Sequence, residues 1–283
     1  MKGCKTGILM KKYGAVEAVS LKGGFTNATY LLKGTDPLLV AKAAGHSNRD
    51  ILNERHVLRF LHNTRIAPKM ADLVTINKTK WLISTFHEGT NGQSLLDAGD
   101  LQPAEDLFKG MGELLAQHIH SHRFDGHRRN LRLGNVNPLQ ADLDFVPRDL
   151  LTKSEAILNK INTHPGEWVL THGDFGSHNI LVGDKSQLIV IDWEWAEWFH
   201  PLVDLAWTCW NTRMHYPDLA ERLNQTFLEA YQSKKSISLT PELLKAYSLY
   251  KLRNILLKMK NADHATQEKW IHRLEWTLTH EIL

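Results

Sequence analysis

Cysteine is nearly absent. Cys4 and Cys209 are the whole supply in 283 residues, too few for a disulfide framework. Long apolar runs are missing as well: none approaches the roughly 20 residues that span a bilayer. The opening stretch, Met1 to Met10, lacks a long apolar core and a small-residue cleavage site, which argues against a signal peptide. The cytoplasm is therefore the expected compartment, with no membrane partner. Charge of one sign is scarce, the net being +3. Short basic clusters such as His127-Arg128-Arg129 occur, but no long basic stripe with interleaved aromatics, so nucleic acid is not an expected partner. Internal repeats, low-complexity tracts and long linkers are lacking too. Hydrophobic content of 42% and charged content of 23% are ordinary for a globular protein, and the length allows one large domain or two lobes.

The chemistry-bearing residues concentrate in one stretch. His172-Gly-Asp-Phe-Gly-Ser-His-Asn179 is followed by Ile191-Asp192-Trp193. Phosphoryl transfer from ATP needs a carboxylate to orient the attacking hydroxyl, and an Asn and an Asp to hold Mg²⁺ against the phosphates. Asp174, Asn179 and Asp192 supply these types in that order. Apolar Ile180-Leu-Val182 and Gln187-Leu-Ile-Val-Ile191 read as two short strands joined by a Gly183-Asp184 turn. Asp174-Phe175-Gly176 also reads as the metal motif of a protein kinase. That assignment needs a His-Arg-Asp somewhat upstream, around residues 152–163, and none is there. Asp174 is therefore read as the base and Asp192 as the metal ligand. A binuclear metallophosphatase would need further ligands, including an early Asp-x-His, and residues 1–40 contain no His.

The two motifs resemble those of the aminoglycoside phosphotransferase and choline kinase family. The wording HGDFGSxN with VIDWxxA resembles the hygromycin kinase branch. The resemblance covers roughly residues 20–90 and 110–210. It implies ATP and Mg²⁺ as cofactors and an α+β, protein-kinase-like fold of two lobes: residues 1–88 as a β-rich nucleotide-binding lobe, and 89–283 as a helical catalytic and substrate-binding lobe with a catalytic β-hairpin. It also implies an amine-bearing hydroxyl acceptor, an aminoglycoside or aminocyclitol antibiotic. The alternatives are a metabolic kinase for choline, ethanolamine, thiamine, homoserine or a hexosamine, and a nucleotide-binding pseudokinase.

Other residues take expected places around this centre. Leu38-Leu-Val-Ala-Lys42 ends an apolar strand with a lysine. A helical pattern follows, with Ile51, Leu52, Arg55, Leu58 and Leu61 at helical spacing, Ser47 or Asn48 as its cap, and Glu54 about two turns in. Lys42 is expected to neutralise phosphate charge and Glu54 to hold it in place. Gly23-Gly24 is a turn that lets backbone approach phosphate, and the resemblance adds Thr26 and Asn27 to that loop. Trp81 to Phe86 is the last strand before the helical part, and residues 84–89, with Ser84, Phe86 and His87, form the expected nucleotide hinge. His172 is expected to brace the loop through backbone carbonyls, and Asp204, in Pro201-Leu-Val-Asp204-Leu-Ala, to brace it or cap a helix.

Trp193, Trp195, Trp198, Trp207 and Trp210 crowd one stretch. Such rings hold a quaternary ammonium, stack on sugars, or fill a helical core. Trp193, Trp195, Glu194 and Glu197 are the candidates for contact with the acceptor, the glutamates facing a cation. Sixteen histidines raise the question of a zinc site, but His118, His120, His122 and His127 do not show the fixed spacing of four ligands. Helices are expected over 106–120, 150–161, from 201, and over 218–232, 241–260 and 267–282.

Overall fold

The computed structural model describes residues 2–21, 28–44, 49–135 and 143–283. The chain divides into two compact units. The fold is α+β, as expected.

The first unit is Met1–Asn91, Arg129–Leu131 and Ile180–Trp195. Helix α1 (Lys2–Tyr13) precedes β1 (Glu17–Leu21), β2 (Thr29–Lys33) and β3 (Leu39–Ala43). Helix α2 (Asp50–Phe60) precedes β4 (Met70–Ile76) and β5 (Thr79–Thr85). These strands form one antiparallel sheet in the order β1-β2-β3-β5-β4. Side chains alternate along a strand. Leu39 and Ala41 of β3 therefore join Leu32, Ile76, Trp81 and Ile83 in a buried layer completed by Leu9 of α1. The same alternation turns Val40 and Lys42 to the opposite face. The β4–β5 hairpin turns on Asn77-Lys78, both at positive φ, the conformation that tight two-residue hairpin loops favour. Helix α2 begins at Asp50, and Arg49 before it makes no side-chain cap. The expected caps, Ser47 and Asn48, lie outside the described residues, as do Gly23, Gly24, Thr26 and Asn27. Strand β6 (Thr90–Asn91) pairs with β9 (Ile180–Val182), which pairs antiparallel with β10 (Leu188–Val190). This is the expected hairpin between the two motifs.

The second unit is Gly92–Arg128, Arg132–Asn179 and Ala196–Leu283. Its helices are α3 (Gly92–Asp97), α4 (Leu101–Leu114), α5 (Arg148–Leu158), α6 (Leu202–His215), α7 (Pro217–Gln232), α8 (Pro241–Lys258) and α9 (His264–Thr279). Asp100, Thr240 and Asp263 cap α4, α8 and α9 by accepting backbone N–H groups, and Pro217 and Pro241 occupy first turns, where a missing N–H costs least. The helix expected over 106–120 starts earlier because Asp100 caps it. Its last turn widens into a π-helical turn, Leu115–Ile119, where His120 N–H donates to Leu115 O at 2.8 Å. Three short strands, β7 (Arg132–Leu133), β8 (Val169–Thr171) and β11 (Glu197–Phe199), form a sheet in the order β7-β11-β8. Among the described residues no helix is long and apolar enough to cross a membrane.

Helices α4 and α7 pack closely at Gly112, where an added Cβ would stand 2.4 Å from Phe227 O and 2.9 Å from Ala230 Cβ. Gly7 on α1 has open space around it. Gly112→Ala is expected to destabilise by about 1–3 kcal/mol through overpacking, lowering the thermal midpoint by several degrees. Gly7→Ala is expected to leave it unchanged or raise it slightly. Calorimetry of the two variants checks the pair.

Candidate active site

Strand β10 delivers Asp192 in an uncommon conformation. Its φ of 63° lies in the left-handed region that Asp enters more readily than most non-glycine residues. The backbone then folds into the tight helical turn Trp193–Trp195. The Trp193 indole is fully buried and donates to Val190 O at 2.8 Å, and Asn53 of α2 donates to Glu194 O at 3.3 Å. This anchoring brings two carboxylates to Lys42. The Lys42 ammonium lies 2.7 Å from Glu54 Oε2, 2.7 Å from Asp192 Oδ1 and 3.3 Å from Glu194 Oε2. Burial works against its charge, but the three carboxylates outweigh burial and hold its pKa well above the ordinary lysine value. Burial pushes Glu54 up to about 7, against the pull of Lys42 and with help from Asp192 and Glu194. Three carboxylates around one ammonium leave excess negative charge. Their ligand oxygens lie within 4.8 Å of one another, and hard oxygen donors of this kind fit a divalent cation such as Mg²⁺.

In the second unit, β8 leads into the His172-Gly173-Asp174 loop. Gly173 has φ of 75°, where a side chain would be strained. Asp204, in the first turn of α6, is fully buried. Its Oδ2 accepts the His172 N–H and its Oδ1 the Gly173 N–H, each at 2.7 Å. Oδ2 also lies 3.1 Å from His120 Nε2, and His120 Nδ1 lies 2.9 Å from the Tyr231 hydroxyl. His172 braces the loop through its Nδ1, which accepts the Asp174 N–H at 3.2 Å.

Asp174 has donors on both oxygens. The Trp207 indole N–H donates to Oδ1 at 2.7 Å. Asn179 Nδ2 donates to Oδ2 at 3.2 Å and to the Asp174 carbonyl at 2.9 Å. His178 Nε2 stands 3.6 Å from Oδ2. Burial favours the neutral acid, but Lys251, His178 and His172 outweigh it and hold the carboxyl well below the usual range. The side chain keeps 24% of its exposure, so an ionised carboxylate remains accessible.

The other candidates fall differently. Ser84 pairs with Val40 inside the sheet, the Phe86 N–H already donates to Leu38 O at 2.8 Å, and the His87 ring meets Thr85 Oγ1 at 3.2 Å. Trp193 corrects the sequence reading: with no exposed surface it has no face to offer a ligand. Glu194 also departs from it, being committed to Lys42. Glu197 accepts from the Tyr250 hydroxyl at 3.0 Å, and burial pushes its carboxyl up to about 7, a poor counter-charge for an amine. Trp195 is half-buried in the turn after Asp192. Sequence reasoning missed Trp207, His178 and Lys251 as neighbours of Asp174. Trp207 lies three residues after Asp204 on a helix, a spacing that shares a face. His178 sits inside the motif itself. Lys251, on α8, leaves no signal in the sequence.

The family model described as the phosphotransferase enzyme family matches residues 17–245. Among solved structures, the chain is similar to a thermostable mutant of aminoglycoside phosphotransferase APH(4)-Ia in ternary complex with ADP and hygromycin B. Identity is 16%, coverage 96% of this chain and 97% of that one, and TM-score 0.69. It is similar to amicoumacin kinase hAmiN in complex with AMP-PNP, Ca²⁺ and Ami, at 13% identity, 98% and 94% coverage and TM-score 0.71. It is also similar to spectinomycin phosphotransferase APH(9)-Ia in complex with ADP and spectinomycin, at 16% identity, 95% and 92% coverage and TM-score 0.63. At these identities the likeness is one of fold. Curated proteins gave no match. With its family model matched over well more than half its length, and a fold shared with antibiotic kinases, the chain belongs to the phosphotransferase enzyme family and is a small-molecule kinase of that family.

Proposed function

We propose that the protein transfers the γ-phosphoryl group of ATP to a hydroxyl of a small molecule, with Asp174 as the base. The observation that carries this reading is the Asp174 carboxylate itself: accessible and held by donors on both oxygens. Residues 1–88 bind the nucleotide and 89–283 carry the base and the acceptor. Lys42, clasped by Glu54 and Asp192, contacts the phosphates. Asp192 would hold Mg²⁺, with Glu194 at hand beside Lys42, and Asn179 keeps the ligand role that the motif resemblance gives it. Bound Mg²⁺ would neutralise charge on the phosphate oxygens.

Asp174 accepts a hydrogen bond from the acceptor hydroxyl, aligns it, and takes its proton as the new P–O bond forms and the bond to ADP breaks. A carboxylate this weakly basic does not strip the hydroxyl in advance. That suits a loose transition state, in which positioning and charge stabilisation supply most of the catalysis. Asp204 sets the loop through its two backbone bonds, and Trp207 and Asn179 fix the carboxylate plane.

Two acceptor classes follow. Fold relatives named for hygromycin B and spectinomycin complexes support an aminoglycoside or aminocyclitol. The engagement of Glu194 and Glu197 elsewhere favours a metabolic hydroxyl compound, since neither glutamate is left to face a polyamine.

Acceptor-dependent ADP release with MgATP is the test, across aminoglycosides, spectinomycin, choline, ethanolamine, thiamine, homoserine and hexosamines. Asp174→Asn is expected to lower turnover by about 10²–10⁴-fold while sparing AMP-PNP binding; near-normal turnover sinks the assignment. Asp192→Asn is expected to weaken Mg²⁺-dependent AMP-PNP binding about tenfold or more, read by calorimetry with and without the metal. Trp207→Phe removes one charge-assisted hydrogen bond and keeps the ring. It is expected to cut kcat about tenfold, leave AMP-PNP affinity unchanged, and move the acid limb of the kcat/KM profile to higher pH, because losing that donor raises the Asp174 pKa.

A further inference from the structure

Arg273 of α9 is half-buried. Its guanidinium carbon lies 4.4 Å from the Trp270 ring centroid and 5.9 Å from that of Trp210, and its Nη2 stands 3.4 Å from His215 Nε2 of α6. A guanidinium drawn out of water is costly unless an anion compensates it. Among the described residues no carboxylate pairs with Arg273, and burial lowers its pKa with no acid opposing. The charged groups that act on the adjacent His215 are all basic. Burial lowers the His215 pKa, and Arg273, His178 and Lys269 lower it further.

This basic group connects to Asp174 by two routes. His178 lies between them, 3.6 Å from Asp174 Oδ2 and close enough to His215 to depress it. The other route is aromatic. Trp207, bonded to Asp174 Oδ1, stacks on Trp210 at 4.5 Å between centroids and 9° between planes, and Arg273 covers Trp210. The two indoles pack against the guanidinium beside His215, and arginine is the side chain that grips carboxylate or phosphate through paired N–H donors.

We propose that Arg273 and His215 form an oxyanion subsite for the acceptor, so that the molecule presenting a hydroxyl to Asp174 carries a carboxylate or a phosphate elsewhere. This rests on reading Asp174 as the residue that receives the hydroxyl. Polycationic acceptors meet the wrong sign of charge here. Hydroxy acids and sugar phosphates meet the right one.

The probe is inorganic phosphate, titrated into the full chain already saturated with MgAMP-PNP. Tryptophan fluorescence reads binding, because Trp210 and Trp270 flank the guanidinium. Saturable binding is expected, about tenfold weaker in Arg273→Gln, intermediate in Arg273→Lys and weakened in His215→Gln, with thermal midpoints near wild type. Phosphate binding that is absent, or equal in Arg273→Gln, overturns the subsite. Acceptor-dependent ADP release then compares hydroxy acids and sugar phosphates with uncharged sugars and aminoglycosides. A preference for the anionic compounds, lost in Arg273→Gln without change in the KM for ATP, together with competition by phosphate, supports an acceptor site. Phosphate that binds through Arg273 while anionic acceptors gain nothing overturns it in favour of a site for free anion, and so does fastest turnover of a polyamine unaffected by Arg273→Gln. Asp174→Asn keeps the two readings apart: full turnover in that variant defeats the base assignment, whereas Arg273-dependent phosphate binding is measured without turnover.

Discussion

The buried carboxylate of Asp204 is the constraint on which the chemistry of the second unit depends. A fully buried anion is stable only when its lone pairs are taken. Here the takers are two consecutive backbone amides of the His172-Gly173 loop and a histidine locked to a tyrosine. The position of Asp204 in the first turn of α6 adds the favourable end of the helix dipole. The amides cannot move without stranding the charge, so the loop is fixed by electrostatics at its base. Gly173 makes this possible, since only a residue at ease with positive φ can turn both amides toward one carboxylate.

The carboxylates of the two clusters are tuned in opposite ways. Around Lys42 the acids outnumber the base, and Glu54 is pushed toward neutrality. Around Asp174 the positive groups and donors prevail, and the acid stays ionised. The first arrangement is short of positive charge, and its oxygens suit a divalent cation. The second is complete in itself, with an anion ready for a proton donor.

Much of this was legible in the sequence because the informative signals are local. The five-residue step from Asp174 to Asn179, the two apolar runs and the Gly183 turn are short-range features, and the hairpin followed from them. Lys42 and Glu54 were legible through strand and helix periodicity, and the structure joins them at 2.7 Å. What escaped is non-local or too short. Strands β7, β8 and β11 have two or three residues each, less than one readable period. The π-helical turn before His120 breaks the 3.6-residue rhythm that would have located it. Trp193 and Glu194 were misread because alternation inside a tight turn was not resolved: the aspartate and glutamate face Lys42, and the tryptophan between them turns inward. Lys251 lies 77 positions beyond Asp174, and nothing near it advertises the contact.

The stacked pair Trp207–Trp210 has a further meaning for how the molecule is made. Trp210 donates to Thr277 on α9 at 2.7 Å, so the support of Asp174 runs through rigid rings to the last helix. Synthesis proceeds from the N-terminus, and folding begins before the chain is complete. The loop, its glycine and its bracing aspartate all emerge before α9 exists. A nascent chain can therefore form the loop and its brace early, while the Trp210 anchor waits for α9 to dock.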